Sequence, residues 1–287
     1  MRTGLFVTVG MLAATAAVPG VVAGAAIQPL AAPPGELVLP DGLVVGVEFP
    51  RYLAVQRRLE AIIDNQSAVP VTVIDIALHS PLFEPVAADE HDYIVAAHLR
   101  QDLQMGIGES ICPTAAGPSM VEMTVEIDGE RQHGLVEIDA TAIARINDTE
   151  CNQQFVIDHV DIGFGPEFEV ADGVMTTAVN LARRSGDDVI TLTATRGSVL
   201  IVVLPVETAE PLATMASDQS VVAAAVTMHV GRCEAHAVAD AKKPFQFAVW
   251  VTVGDSPEYF VTVTPEGELR AALEALIQEC IAADTTE

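Results

Sequence analysis

The stretch FQFAVWVTV, residues 245–253, carries Phe or Val at every second position. Because successive side chains of a β-strand point to opposite faces, this alternation predicts a strand with one buried face. The next four residues, Gly254-Asp255-Ser256-Pro257, are typical of a turn, and Tyr259, Val261 and Val263 then predict a returning strand. We therefore expect the fold to be built from antiparallel hairpins with one apolar face.

Two earlier segments show the same alternation. Residues 121–128 alternate apolar side chains with Glu, Thr and Asp, and Asp128-Gly129 predicts a tight turn into another strand. Residues 99–107 alternate as well, with Leu103 and Met105 predicted to face inward. The predicted class is therefore mainly β.

The order of these signals is repeated along the chain, since the pattern of residues 57–151 recurs in residues 174–280. PVTVIDIALHSPLFEPV (70–86) corresponds to DVITLTATRGSVLIVVLPV (188–206), and each is followed by a glycine, a cysteine, a hairpin and a helical segment. A repeat of this length predicts tandem domains, because solenoid repeats are only 20–50 residues long. We expect two tandem immunoglobulin-like β-sandwiches, at 41–155 and 156–287, each closed by a short C-terminal helix.

The closing helices carry start signals of their own. In the second copy Thr264 is the predicted N-cap and Pro265 the first helical residue. In the first copy Asp139 is predicted to cap a shorter helix that ends at Cys151. The helix of the second copy is expected to turn one apolar stripe toward its core, formed by Leu269, Leu273, Leu276 and Cys280.

Four cysteines in an exported chain indicate two disulfides, for which three connectivities exist. The repeat favours one of them, because each half has one cysteine after a strand and one in its closing helix. The predicted bonds are Cys112–Cys151 and Cys233–Cys280. The chain has no Cys-x-x-Cys motif, which argues against a redox dithiol.

One arrangement has the spacing of a metal site, and it is the alternative to the second disulfide. His229, Cys233 and His236 follow each other closely beside Met228, and copper sites in sandwiches use a Cys, His residues and often a Met. Because a cysteine in a disulfide cannot bind a metal, the two interpretations exclude each other. We expect the disulfide, and hence no metal and no cofactor.

Composition excludes several functional classes. The chain has 287 residues, with 40 acidic and 14 basic side chains and a formal net charge of -26, so we expect no nucleic-acid partner. Motifs of serine hydrolases, zinc proteases and nucleotide-binding proteins are not present in the sequence. The acidic segment Asp89-Glu90-His91-Asp92 is expected to be a solvated loop, and Trp250 and Tyr259 are weak candidates for sugar contact.

The first residues have the pattern of an export signal. Arg2 precedes an uncharged apolar run, and Ala23-Gly24-Ala25 fits a signal peptidase site, so residues 1–25 are predicted to be removed. The alternative is an uncleaved membrane anchor, which would be the chain's only contact with a membrane. Residues 26–40, which include Pro33-Pro34-Gly35, are a predicted linker.

The segment GRCEAHAVADAKK (231–243), followed by Phe245-Gln246-Phe247, resembles exported or membrane-anchored proteins of high-GC Gram-positive bacteria that have a duplicated β-sandwich. Residues 58–83, with the turn Asn65-Gln66-Ser67, and the closing helix with Cys280 resemble the same group. The resemblance implies export and a duplicated sandwich. It implies no activity and assigns no functional residue.

From the sequence, we expect an exported, non-enzymatic protein of the cell envelope or the medium that acts through its surfaces. An envelope protein or a polysaccharide is the expected class of partner. Two alternatives are a metal-binding or redox protein centred on His229, Cys233 and His236, and a secreted hydrolase without a recognised motif.

Overall fold

The computed structural model of the protein describes Leu37 and residues 39–284. The predicted signal peptide at 1–25 and most of the predicted linker at 26–40 lie outside the described residues. The described chain is mainly β, with sixteen strands that pair antiparallel and three α-helices. None of the helices within residues 39–284 has both the length and the apolar character needed to cross a membrane.

The first half of the chain forms two sheets around one hydrophobic core, and we call this part the N-terminal sandwich. One sheet has the strand order β1-β2-β5 and the other β4-β3-β6-β7. Leu59 and Met105 from the first sheet and Val73 and Met123 from the second are fully buried in this core. Its strands are β1 (Leu43–Glu48), β2 (Arg58–Asn65), β3 (Val71–His79), β4 (Asp89–Val95), β5 (Leu99–Gly106), β6 (Met120–Ile127) and β7 (Glu130–Glu137).

The second half, the C-terminal sandwich, also has two sheets and a separate core. One sheet has the order β12-β14-β10-β8, with β9 also paired to β10, and the other has the order β13-β11-β15-β16. Its strands are β8 (Val160–Phe164), β9 (Glu169–Ala171), β10 (Val174–Arg183), β11 (Ile190–Arg196), β12 (Ile201–Pro205), β13 (Ala213–Met215), β14 (Val221–Val230), β15 (Phe247–Val253) and β16 (Tyr259–Val263).

Two hairpins of the structure, β6–β7 and β15–β16, match strands and turns that were predicted from the sequence. The predicted strand at 121–128 is β6, and Asp128 and Gly129 form the turn to β7 with φ angles of +53° and +81°. The predicted strand at 245–253 is β15, although it begins at Phe247. Phe245 is buried just before the strand, where the guanidinium of Arg270 lies 3.5 Å from its ring centre.

The helix of the first half, α1 (Thr141–His159), is longer than predicted. Its N-cap is Ala140 and not the predicted Asp139, although the Asp139 carboxylate accepts hydrogen bonds from the backbone N–H and the hydroxyl of Thr141, at 2.9 and 2.6 Å, just before the helix. Ile143 is buried in the N-terminal core, whereas Val156 is buried in the C-terminal core. The helix extends beyond Cys151 because its second half packs on the other sandwich. The predicted boundary between the two domains, between residues 155 and 156, therefore lies inside this helix.

Two helices belong to the second half, α2 (Ala235–Asp240) and α3 (Gly267–Asp284). The predicted start of α3 was wrong, because the helix begins at Gly267 rather than at Pro265. Gly267 has a φ of +55°, a conformation that is unfavourable for residues with a side chain and that separates Pro265 from the helix. Three residues of the predicted stripe are buried against the C-terminal core: Leu269, Leu273 and Leu276.

Candidate binding site

The four cysteines form the two predicted disulfides. Cys112–Cys151 has a Cα–Cα distance of 5.6 Å, and Cys233–Cys280 has one of 5.8 Å. Each bond attaches the helix that follows a sandwich to a segment beyond a strand of that sandwich. Two disulfides indicate an oxidising, extracytoplasmic environment.

The structure does not bring His229, Cys233 and His236 together as the metal site considered as an alternative. Cys233 is bonded to Cys280 and has no thiolate to offer. His229 lies on β14 between Val174 and Val202 of the neighbouring strands, and His236 lies on α2. Among the residues that the structure describes, no group of three His, Cys, Asp or Glu side chains could hold a metal ion.

The segment Asp89-Glu90-His91-Asp92 is not a loop, as had been predicted, but the start of β4. The Asp89 carboxylate lies 2.7 Å from the Arg58 guanidinium and accepts a hydrogen bond from the Gly106 N–H at 2.7 Å. These contacts and the pairing with β3 hold the acidic segment in the sheet, with a bulge at Asp92, whose φ is +49°.

A cavity of about 510 Å³ lies beside the first disulfide, and the half-buried ion pair of Arg57 and Glu150 forms part of its lining. Arg57 donates to both carboxylate oxygens of Glu150, at 2.6 and 3.2 Å, and Ser110 donates to the same carboxylate at 2.6 Å. Burial alone raises the pKa of Glu150, but the hydrogen bonds from Arg57 and Ser110 and the charge of Arg57 lower it overall. A carboxylate that is stabilised in this way is a poor base for activating Ser110. We therefore interpret the ion pair between Arg57 and Glu150 as a contact that holds α1 on the N-terminal sandwich.

The aromatic side chains at 250 and 259 do not form one surface. Tyr259 is half-buried, and its ring packs edge-on against Phe155 of α1, with a centroid distance of 5.9 Å. Trp250 instead pairs with Phe260 across the sheet, at 6.4 Å, and the Arg196 guanidinium lies 5.3 Å from the indole ring. Trp250, Phe260 and Arg196 therefore form a small aromatic and cationic platform on the outer face of this sheet.

An open groove of about 840 Å³ lies in the C-terminal sandwich, between β8 and the connection from β16 to α3. Both strands begin beside α1, since β8 follows it directly and Tyr259 at the start of β16 contacts Phe155. The groove lies where the two strands end. We call it the β8 groove, and its walls are residues 161–166 and 262–269.

The hydrogen-bonding edge of β8 faces this groove. The Gly165 N–H donates to the Ala178 carbonyl and the Arg184 N–H donates to the His159 carbonyl, each at 2.8 Å. Antiparallel strands exchange hydrogen bonds at every second residue pair, so in this register residues 161 and 163 also face β10. The backbone N–H and C=O groups of Ile162 and Phe164 therefore point away from β10, and β8 is the last strand on this side of its sheet within the described chain.

The groove is acidic and its floor is apolar. Of the fourteen described residues that line it, three are acidic (Asp161, Glu266 and Glu268) and none is basic. The side chains of Ile162 and Phe164 pack on the core beneath, and the Phe164 ring meets the Phe247 ring edge-on at 5.6 Å. The site therefore combines an unpaired strand edge with negative charge.

Sequence reasoning did not identify these residues. The groove is formed by two segments that are about a hundred positions apart, and only the packing of β8 near β16 brings them together. A local signal did exist, because a short apolar strand interrupted by glycines and ended by Pro166 is typical of a sheet edge.

Comparisons with known proteins give no assignment. No family model and no curated protein matches the chain. A crystal structure of red sea bream transglutaminase is similar over 80% of this chain and 32% of its own length, with 10% identity and a TM-score of 0.25. The BSP domain of a biofilm-associated protein is similar over 82% of this chain and 60% of its own length, with 6% identity and a TM-score of 0.20. The chain thus spans about a third of the transglutaminase chain, and neither likeness identifies a family.

Proposed function

We propose that the protein is exported and non-enzymatic, and that it acts in the cell envelope or the medium through binding surfaces on two tandem immunoglobulin-like sandwiches. Duplication is supported by the corresponding strand orders β1-β2-β5 and β8-β10-β14, and β4-β3-β6-β7 and β13-β11-β15-β16. A helix with a disulfide follows in both halves. Export is supported by these disulfides together with the signal pattern at residues 1–25.

The proposed binding site is the β8 groove, and its ligand is an extended, basic segment of another protein. The observation that carries this proposal is the unpaired edge of β8 at Ile162 and Phe164, which faces an acidic groove. An extended segment in the groove adds a strand to the sheet by pairing with the free N–H and C=O groups of these two residues. Its Lys or Arg side chains are attracted by Asp161, Glu266 and Glu268, whose attraction weakens as salt is added.

A peptide selection tests this function. We would select random decapeptides for binding to the immobilised full chain and measure the affinity of synthetic copies by calorimetry. The expected peptides alternate apolar residues with Lys or Arg and bind more weakly at high salt. Replacing Ile162→Pro removes an outward N–H without breaking a hydrogen bond to β10, so binding should be lost. Ile162→Val keeps the N–H and is the matched control.

Two results would reject the groove as the site. One is a set of selected peptides that are acidic or that bind equally well at all salt concentrations. The other is full binding by Ile162→Pro, provided that its unfolding transition matches that of the wild type.

A second candidate function is recognition of an envelope polysaccharide by the platform of Trp250, Phe260 and Arg196. It is favoured by the pairing of two aromatic rings on an outer sheet face, with Phe260 40% exposed. Because Trp250 is the chain's single tryptophan, its fluorescence reports directly on this surface. Titration with solubilised wall polysaccharide should shift the emission of the wild type but not that of Phe260→Ser, and an unchanged wild-type spectrum rejects the candidate.

A further inference from the structure

Gly163 lies within β8, the strand that forms one wall of the β8 groove, and nothing in the described chain requires a glycine at this position. Its φ is not positive, and the pairing of β8 with β10 continues through it without a bulge. A Cβ atom placed on Gly163 would have no other atom within 4 Å. Glycine weakens a strand, and where neither a bulge nor internal packing explains it, it commonly marks a close approach by another molecule.

The open space at Gly163 is on the outer face of the sheet. Ile162 and Phe164 pack on the C-terminal core, so Asp161 and Gly163 turn outward. Asp161 is exposed, and Asn180, directly opposite Gly163 on β10, is half-buried. Within the described residues, neither the Asp161 carboxylate nor the Asn180 amide has a hydrogen bond or an ion pair. Two polar side chains without partners therefore flank the open space.

We propose that Asp161, Gly163 and Asn180 form a subsite for one arginine of the segment that binds in the β8 groove, an inference that rests on the function proposed above. A strand added to β8 pairs with the outward N–H and C=O groups of Ile162 and Phe164. In either strand direction, the residue between these two pairs lies alongside Gly163, and its side chain points to the same outer face. Because Gly163 has no side chain, a long side chain can lie across it.

The chemistry of the flanking side chains selects arginine. The Asp161 carboxylate can accept two parallel hydrogen bonds from a planar guanidinium, which a lysine ammonium cannot donate in this geometry. Asp161 is two positions from Gly163, about 7 Å along the strand, and is within reach of an arginine side chain that lies there. The Asn180 amide oxygen can accept from the remaining N–H groups.

The neighbours of this arginine point the other way, toward the apolar floor of the groove. They lie alongside Ile162 and Phe164, whose side chains pack on the core. Apolar side chains are therefore favoured at both positions. The preferred ligand is an extended segment that has one arginine between two apolar residues.

Gly46 of the N-terminal sandwich has the same open space but not the same chemistry. It lies on the edge strand β1, and a Cβ atom placed on it would also have no other atom within 4 Å. The carboxylates on the outer face of β1 and β2 already have partners, namely Glu48 with Arg100, Glu60 with Tyr52 and Asp64 with Gln66. Gly46→Val is therefore a matched control for Gly163→Val, since both add the same side chain to an edge strand.

Calorimetric titration of the full chain with two synthetic decapeptides tests the subsite. One peptide alternates Thr and Val and has a single Arg between two Val residues at its centre, and the other has Ala in place of this Arg. The wild type should bind the arginine peptide at least about tenfold more tightly. Gly163→Val fills the open space, and Asp161→Asn removes the charge that the guanidinium meets. Each should reduce the preference to about twofold or less, while the alanine peptide still binds.

Two variants should keep the preference for arginine. One is Gly46→Val. The other is Glu169→Gln, which removes a carboxylate from the same sheet, opposite Thr176 and six positions along β10 from the partner of Asp161. Loss of the preference in either control would overturn the subsite. Urea unfolding shows whether each variant is folded, and Asp161→Asn tests the subsite without adding volume to the strand.

Failure of the subsite differs from failure of the groove. The subsite alone is rejected if both peptides bind and Ile162→Pro abolishes binding, but arginine is not preferred or is still preferred by Gly163→Val and Asp161→Asn. The groove and the subsite are both rejected if neither peptide binds, or if folded Ile162→Pro binds both peptides as the wild type does.

Discussion

Single polar side chains hold the irregular parts of the N-terminal sandwich in place. The buried amide of Asn65 donates to three backbone carbonyls, and its oxygen accepts from the N–H and the hydroxyl of Ser67, which fixes the turn after β2. Asn147 of α1 donates to the Leu82 carbonyl at 2.7 Å and accepts from Thr114 at 2.7 Å. Because both amides have partners, their burial fixes local geometry without leaving polar groups unsatisfied.

Glu150 should stabilise the protein in a pH-dependent way. Arg57 and Ser110 favour its ionised form, so its pKa is lower in the folded chain than in the unfolded chain. The stabilisation is therefore present above the unfolded pKa and is lost as the pH falls through the folded pKa. We expect Glu150→Gln to lower the free energy of unfolding by about 1–2 kcal/mol at pH 7. In urea unfolding, the difference from the wild type should shrink below about pH 4.

Glu109 supplies the control for this prediction. It also faces Arg57, at 3.6 Å, but its side chain is 79% exposed. Glu109→Gln should change stability by less than about 0.5 kcal/mol. Equal effects of the two substitutions, or a Glu150→Gln effect that does not vary with pH, would contradict the role given to Glu150.

The second disulfide connects α3 to the segment after β14, so the loss of either cysteine should have the same effect on stability. Cys233→Ser and Cys280→Ser should each lower the free energy of unfolding by about 3–4 kcal/mol in the chain-entropy view. The double variant should cost little more than either single one, because the same bond is lost only once. His236→Ala, on the neighbouring helix, should cost less than about 1 kcal/mol. Chemical unfolding of the four variants, with and without added copper or zinc, provides the measurement.

A metal-dependent rise in the melting temperature that disappears in His236→Ala would contradict this account. So would a double variant whose loss equals the sum of the two single losses.

Elements whose signals are local were predictable. The strands at 121–127 and 247–253, the turn at Asp128-Gly129 and the stripe of α3 depend on neighbours along the chain. The length of α1 was not predictable, because its second half is held by Tyr259, about a hundred residues away. β4, which begins at Asp89, could not be predicted for a similar reason, since Arg58 and the backbone of β3 hold it in place.

The two proposed binding surfaces differ in how far the sequence could have identified them. Trp250 falls out of phase with the apolar stripe of residues 245–253, so its outward position in the aromatic platform could be predicted. The β8 groove could not be predicted from the sequence in this way. It exists because the edges of two strands from different sheets lie near each other, and side-chain periodicity contains no information on which edge is unpaired.

At the scale of the whole molecule, α1 should make the two sandwiches unfold together. The helix contributes Ile143 to one core and Val156 to the other. Trp250, the only tryptophan, lies in the C-terminal sandwich and reports on that half alone. Ile143→Ala removes about 2–4 kcal/mol from the N-terminal core. Thermal unfolding followed by tryptophan fluorescence should nevertheless show a lower midpoint for this variant.

Val55→Ala, in the same half but at a side chain that is 76% exposed, should leave that midpoint unchanged. If Ile143→Ala produced an early transition in circular dichroism while the tryptophan midpoint stayed at its wild-type value, the sandwiches would be independent and α1 only a connector.

The disulfides also set how far the chain can be stretched when it is pulled from its ends. The bonded cysteines are separated by 39 and 47 positions, and at about 3.5 Å per residue these segments hold about 140 and 165 Å of chain. Tension cannot extend either segment while the bonds are intact. β6, β7 and the first eleven residues of α1 lie inside the first loop and bear no load along the backbone. As a tether under force, the oxidised molecule is therefore about 300 Å shorter at full extension than the reduced one, and reduction alone would lengthen its reach.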